Sequence, residues 1–393
     1  MTLQTSAPPR LRQAGFSLVE MMVALTLGLV LTGVMTAVYL TSKSATRRVD
    51  QLSTLQQNVR LAFQFLSSDA RMVGYQGCFT NRTSGFTNSL AVGLGTNFAV
   101  GVEGYKYNIA GSALTLSSSS PADVTTAASW VNNTVGTSTT IPVTSISSVG
   151  LTPGSDVLVI RTVSGAPIRL TAAAVGSATS VSIENNGTPG KCRDGTTSKV
   201  SGLCTGSYAL IANCSSAQAF QVSSAATTLG VTGGLNASNV YPQASTEVFP
   251  LQTVVYYVRS SGSGTGTSLY RRTFDGDQTA APGSVDAGVE QELIEGVENL
   301  QVRFGLDTTT EPDGVIDGSY VAANAVGDWS RVIAVRMSLL THGPAAAEAD
   351  VTLPATGKVG DVTVTYPTSG TRFDRRVFST TVAVRNKITY ASP

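Results

Sequence analysis

Glu20 is the only charged residue in the apolar run from Phe16 to Leu40. A run of about 25 residues exceeds the roughly 20 that a helix needs to cross a hydrocarbon layer. A carboxylate inside such a run is costly unless a cation neutralises it. The chemistry open to Glu20 is therefore pairing. Four cysteines, Cys78, Cys192, Cys204 and Cys214, all follow the apolar run. In an exported chain an even count suggests two disulfides, for which three connectivities exist. The favoured one joins Cys192 to Cys204 as a local staple and Cys78 to Cys214 as a tie between helix end and sheet. Zinc is the competing use, but there is no CxxC pair and His342 is distant in sequence. Asp307, Glu311, Asp313 and Asp317, around Gly314, form a candidate calcium loop, since calcium takes several oxygens around a glycine turn. Thr308, Thr309, Thr310 and Pro312 stand where ligands would be needed, and no glutamate closes the loop. An acidic solvated loop is the preferred reading, with Asp307, Asp313 and Asp317 the ligands if calcium binds and no other cofactor expected. Catalysis has no constellation: His342 is the only histidine, and Asp275/Asp277 and Glu292/Glu295 read as turn and exposed faces. The chain reads as a non-enzyme.

The elements that must position these residues begin with a leader, residues 1–15, carrying Arg10 and Arg12 and no acid. It is too short and too polar for a secretory signal. Lys43, Arg47 and Arg48 flank the far end of the apolar run as heavily, so charge counting leaves the orientation open. Residues 16–40 then form the spanning helix. Over residues 41–77 the helical pattern continues as an amphipathic one. Val49, Leu52, Leu55, Val59, Phe63, Leu66, Ala70 and Val73 recur at intervals of three or four. Gly74 and Gly77 are expected to end that helix.

The rest, residues 78–393, has the composition of a β-rich extracytoplasmic head. Only 13% of the chain is charged, Gly numbers 39, and Ser and Thr are abundant. A formal net charge of +1 gives no field directed at nucleic acid. Strands are expected at Asp156–Arg161, Tyr208–Ala212, Thr253–Val258 and Leu269–Arg272, with a hairpin tip over Ser260–Ser268. That glycine-rich tip opens no helix and carries no lysine, so it is not a phosphate loop. Glu292–Gly305 reads as a short turn leading into a strand. Ile333, Val335, Met337 and Leu339 alternate with polar and smaller residues, as do Phe378, Thr380, Val382 and Val384, each marking a strand with one buried face. Within a variable insertion at about 80–215, Ser117–Ser120 and Asn132-Asn133-Thr134 read as loop and edge.

Gly15-Phe16-Ser17-Leu18-Val19-Glu20 resembles the class III signal of type IV pilins and of type II secretion pseudopilins. The stretch from Phe63 through Asp69, Arg71, Gly74 and Tyr75 to Gly77-Cys78 resembles the helix end of PilW-family minor pilins. Glu292–Gly305 and Phe378–Asn386 are similar to later parts of that family. The resemblance implies an α+β fold: a long N-terminal helix, half membrane and half amphipathic, packed on an antiparallel β-sheet head. It implies that a prepilin peptidase cuts between Gly15 and Phe16, that Phe16 is N-methylated, and that Glu20 meets the terminal amine of a neighbouring subunit. The implied role is initiation and assembly of type IV pili, in a tip or priming complex with other minor pilins, the major pilin and possible tip adhesins. Twitching motility, adhesion or DNA uptake would follow. The implied location is the inner membrane, single-pass with a periplasmic head, then the fibre. A J-like minor pseudopilin of type II secretion and a membrane-anchored adhesin are the alternatives.

Overall fold

The computed structural model describes residues 15, 17–79, 85–91, 93–108, 113–116, 129–134, 137–140, 150–187, 190–195, 197–263, 266–277, 287–310, 312–343, 353–367, 372–384 and 386. The chain divides into two compact units, Met1–Ser53 and Thr54–Pro393.

One helix, α1, runs from Leu18 to Arg71. No proline interrupts it, and its threonines hide their polarity locally. The hydroxyls of Thr26, Thr32, Thr36 and Thr41 donate to the carbonyls of Val23, Gly28, Thr32 and Ala37. Glu20 in the first turn and Arg71 in the last oppose the helix dipole. Along the head-packed part Leu55, Val59, Ala62, Leu66 and Ala70 are buried, at spacings of three and four. The expected stripe is corrected at two places: Val49 is exposed, and Ala62 is buried where Phe63 was expected, with Phe63 only half-buried. The helix also stops at Arg71, short of residue 77.

The head is built from strands β1 (Val102–Tyr107), β2 (Trp130–Thr134), β3 (Val157–Val163), β4 (Tyr208–Ala212), β5 (Ala217–Ser224), β6 (Glu247–Ser260), β7 (Thr267–Phe274), β8 (Val289–Glu295), β9 (Val297–Leu306), β10 (Val332–His342), β11 (Thr356–Val359), β12 (Val362–Thr365) and β13 (Arg375–Ala383), with shorter pieces between them. The larger sheet contains the order β2-β1-β3-β6-β4-β5, with β7 on β6 and β8 on β7. Its organising strand is β6. Residues 247–250 pair with β4, 251–256 with β3 and 253–260 with β7, all antiparallel. A second sheet has the order β9-β10-β13, and β11 and β12 form a small third one with Ala113–Thr115.

One core cluster unites Ala62, Leu66 and Ala70 of α1 with Ile160 of β3, Tyr256 of β6, Phe304 of β9, Met337 of β10 and Val382 of β13. Asp156 also links the two larger sheets. Its carboxylate accepts the Tyr107 N–H at 3.2 Å and the Val302 N–H at 3.0 Å.

Three expectations for the head are corrected. Asn132-Asn133-Thr134, expected as loop and edge, belongs to the strand Trp130–Thr134, and Trp130 is fully buried with its indole donating to the Ser155 carbonyl at 2.8 Å. Glu292–Glu295, expected to open with a turn, completes a strand that begins at Val289, and the turn is Gly296 alone, at φ 84°. β10 is buried on both faces along most of its length, Arg336 being exposed, because different layers cover its two faces. Val335, Met337 and Leu339 face the helix-bearing core, whereas Leu340 joins Val359, Val362 and Val364. Ser117–Ser120 and Lys387 lie outside the described residues.

Candidate assembly helix and its junction with the head

The N-terminal part of α1 is apolar all round. From Leu18 to Leu40 its large apolar side chains are exposed, the least at Val23 (51%) and the most at Leu18 (76%). The most apolar stretch has a mean hydropathy of 2.1, and the helix is long and apolar enough to cross a membrane. A helix that is apolar on every side must be covered by lipid or by other helices. Glu20 stands exposed on its first turn. Gly15 is exposed, while Phe16 and the leader to residue 14 lie outside the described residues.

At the other end, α1 runs into a junction assembled from strands far away in sequence. The last carbonyls of a helix lack internal partners and need donors. Here the Asn386 carboxamide donates to Val73 O at 3.2 Å and to Arg71 O at 3.4 Å. The Thr162 hydroxyl of β3 donates to Met72 O at 3.0 Å. The chain then reverses through Gly74, at φ 65°, whose N–H donates to Arg161 O at 3.3 Å. Tyr75 packs edge-on against Phe249 of β6, with ring centroids 6.0 Å apart. Gly77, at φ 66°, passes the same ring so closely that a Cβ would lie 3.0 Å from it. Only glycine fits there.

Asp69 is the polar centre of this junction. Its Oδ2 accepts the Tyr256 hydroxyl at 2.6 Å and pairs with Arg271 through Nε and Nη2, both at 3.1 Å. Burial first, and then the Asp69 carboxylate, push the Tyr256 hydroxyl well above its ordinary range. The charged face of α1 is thereby fixed to β6 and β7. A second buried ion pair joins β3 to β1. Arg161 of β3 meets Glu103 of β1 at 2.8 Å, and Glu103 also accepts from Tyr105 at 2.8 Å and Asn132 at 2.6 Å. A third pair is bidentate: Arg375 of β13 holds Glu298 of β9 at 2.7 and 2.8 Å. Sequence reading missed all three. The available signal was an ionisable residue in an otherwise buried strand, as in Val157-Leu158-Val159-Ile160-Arg161, which needs a partner.

The four cysteines form two disulfides. Cys78 is bonded to Cys214 (Cα atoms 4.8 Å apart) and Cys192 to Cys204 (5.9 Å). The first closes the junction, tying the segment after α1 to the β4–β5 turn. In the acidic loop each aspartate accepts hydrogen bonds from its own segment. Asp307 takes the Gly314 N–H at 2.8 Å and the Thr309 hydroxyl at 2.7 Å. Asp317 takes the N–H groups of Thr308 and Thr309 at 2.6 and 3.1 Å, and Asp313 takes that of Val315 at 2.8 Å. The Thr309 hydroxyl above all, with the Gly314 and Thr309 N–H groups and Arg331, holds the Asp307 carboxyl below the usual range against the effect of burial. Among the described residues, which omit Glu311, these carboxylates do not converge on a common ligand position. His342 stacks on Phe373 at 4.0 Å, and its Nδ1 lies 2.7 Å from Gly343 O.

Residues 255–386 match the family described as Type IV Pilus-assembly protein W, and residues 10–36 match the prokaryotic N-terminal methylation motif. Over the first of these stretches the chain is similar to the PilW family, and the two matches together support a PilW-like reading. The chain is a type IV pilus-related, pilin-like protein, and both matched families are structural or processing-related rather than enzymatic. No curated protein and no solved structure matches it. The PilW match opens inside β6 and closes at Asn386, so it supplies Tyr256, Arg271 and Asn386 to the junction. The methylation-motif match contains Gly15, Phe16 and Glu20.

Proposed function

We propose that the chain is a minor pilin that takes part in starting and building type IV pili, seated with other minor pilins in a priming or tip complex. The observation that carries this reading is the exposed apolar part of α1, Leu18 to Leu40, with a single acid, Glu20, in its first turn. A prepilin peptidase cuts after Gly15, and Phe16 becomes the methylated amino terminus. The helix holds the subunit in the inner membrane with the head in the periplasm. On assembly, Glu20 pairs with the terminal amine of a neighbouring subunit. The low-dielectric interior of a helix bundle strengthens that pairing and penalises a subunit that sits out of register. The head contacts other minor pilins, the major pilin or an adhesin at the tip.

Glu20→Ala tests the reading. It leaves leader cleavage largely intact and sharply reduces surface pili when the variant is the only copy in the cell. Normal piliation in that variant overturns the role given to Glu20. The PilW match favours a pilus over a type II secretion pseudopilin, and scoring the same variant for enzyme secretion separates the two. A simple membrane-anchored adhesin would keep its leader when the peptidase is present.

A further inference from the structure

The staple between Cys192 and Cys204 has a third ligand-type group beside it. Cys192, Cys204 and Asp277 are all buried, and the two sulfurs and a carboxylate oxygen of Asp277 lie within 4.8 Å of one another. Asp277 follows β7 and is far from both cysteines in sequence. A disulfide needs no carboxylate in its surroundings, and burying one is costly.

The backbone brings this pair together independently of the bond between the sulfurs. The Cys192 N–H donates to Thr197 O at 2.8 Å, and the Gly195 N–H to Cys192 O at 2.9 Å. The Cys204 N–H donates to the Ser207 hydroxyl at 3.0 Å, and the Ser207 N–H to Cys204 O at 3.1 Å. None of these hydrogen bonds involves sulfur, so the two side chains are neighbours before the bond closes. Asp277 is fixed separately. Its Oδ1 accepts the Arg193 N–H at 3.1 Å, and its Oδ2 lies 3.7 Å from Lys199 Nζ.

We propose that the dithiol form of this pair is a zinc site, with the thiolates of Cys192 and Cys204 and the carboxylate of Asp277 as its protein ligands. Cysteine enters a chain as the thiol, so this form precedes the disulfide. Zinc accepts thiolate and carboxylate together, whereas calcium and magnesium take oxygen alone. With Zn–S bonds of about 2.3 Å, two tetrahedral thiolates sit about 3.8 Å apart. Cα atoms 5.9 Å apart allow that separation by side-chain rotation. Among the described residues no fourth carboxylate, thiol or imidazole completes the set, so water takes the remaining position. Charge is balanced as well. Two thiolates, a carboxylate and the ion leave one negative charge, which the Lys199 ammonium offsets.

Binding exchanges the two thiol protons for the ion. While the ion is held, neither thiol is free to bond with Cys78 or Cys214, so the site guards one of the three possible connectivities. The site ends with oxidation. A disulfide-bearing oxidoreductase takes the two electrons and leaves as a dithiol, the ion departs, and the Cys192–Cys204 bond forms.

The test uses the full-length chain in detergent, reduced with a water-soluble phosphine. The phosphine takes up the oxygen of a water molecule, whose two protons end on the thiols. After chelation and gel filtration the chain is titrated with zinc, and with cobalt(II) as the spectroscopic probe. The reduced chain binds one equivalent of zinc and the oxidised chain none, and cobalt gives near-ultraviolet thiolate charge-transfer bands. Asp277→Asn keeps both thiols and weakens zinc binding by on the order of tenfold or more. Cys78→Ser/Cys214→Ser leaves the stoichiometry unchanged, and Cys192→Ser/Cys204→Ser abolishes binding. Where reduction costs the head its near-ultraviolet dichroism, one equivalent of zinc restores it. A reduced chain that binds no zinc overturns the proposal, whether it is folded or not. Binding that survives Cys192→Ser/Cys204→Ser puts the metal on the other two thiols and overturns it as well. Undiminished affinity in Asp277→Asn removes the carboxylate from the site and overturns the three-ligand set.

Discussion

The Cys78–Cys214 bond allows an unusually clean measurement. Both cysteines are exposed, so replacing them with serine removes almost no packing. What is lost is a covalent constraint on the unfolded chain across a sequence separation of 136. On the chain-entropy account, closing a loop of that length is worth about 5 kcal/mol at 25 °C. The same expression gives about 3 kcal/mol for Cys192–Cys204, whose separation is 12. Those two sulfurs are buried, so replacing them with alanine adds a packing loss of about 1 kcal/mol or more. Cys78→Ser/Cys214→Ser should therefore be the more damaging pair despite touching only surface. For a head this large, about 2 °C of melting temperature accompanies each kcal/mol. The outer pair should cost about 10 °C and the inner pair about 6–8 °C, measured by near-ultraviolet circular dichroism on the full-length protein in detergent. The hydrogen bonds around the helix end remain in the folded state and do not compensate, because the effect lies in the unfolded ensemble. A fall of less than 4 °C for the outer pair, or a larger fall for the inner one, refutes the reasoning.

Asp69→Asn removes the charged acceptor shared by Tyr256 and Arg271 and leaves the guanidinium mostly buried. A loss of about 2–3 kcal/mol is expected after discounting for partial exposure, and a double-mutant cycle with Arg271→Met should recover at least 1 kcal/mol as coupling. Gly104→Ala would place a Cβ 2.5 Å from the Phe304 ring and should destabilise by about 1–3 kcal/mol in the same melting assay. Asp307 is held below the usual carboxyl range, so its contribution is present above its unfolded pKa of about 3.9 and is lost as pH falls through the lower folded value. Asp307→Asn should accordingly flatten the acid limb of the stability profile below about pH 4, with little change in its slope between pH 6 and 8.

Much of this architecture is legible in the sequence because periodicity and chemistry agree. The apolar run, the stripe from Leu55 to Ala70, and the alternations in β10 and β13 each mark a buried surface directly. The strands that were misread share a different property: their polar side chains are satisfied by partners far away in the chain. Glu292–Glu295 looks like a turn because it is acidic and precedes Gly296. The strand that contains it, β8, pairs with β7 and places Glu290 on Tyr257 and Arg259, and Glu292 on Ser261. Asn132-Asn133-Thr134 looks like loop and edge because of its asparagines, yet Asn132 is fully buried and bonded to Glu103. The junction around Asp69 was hidden for the same reason. Tyr256 and Arg271 are 187 and 202 residues away, and no local pattern carries that information.

The strand order of the larger sheet governs how this head can be altered. Because β3 runs between β1 and β6, the segment at about 80–215 is woven through the middle of the sheet rather than hung from its rim. Swapping it wholesale for another sequence would strip β6 of its neighbours along residues 247–256. New specificity has to be written into the connections between strands. An epitope or reporter peptide belongs at a site such as Gly233, where φ is 76° and an added side chain meets open space.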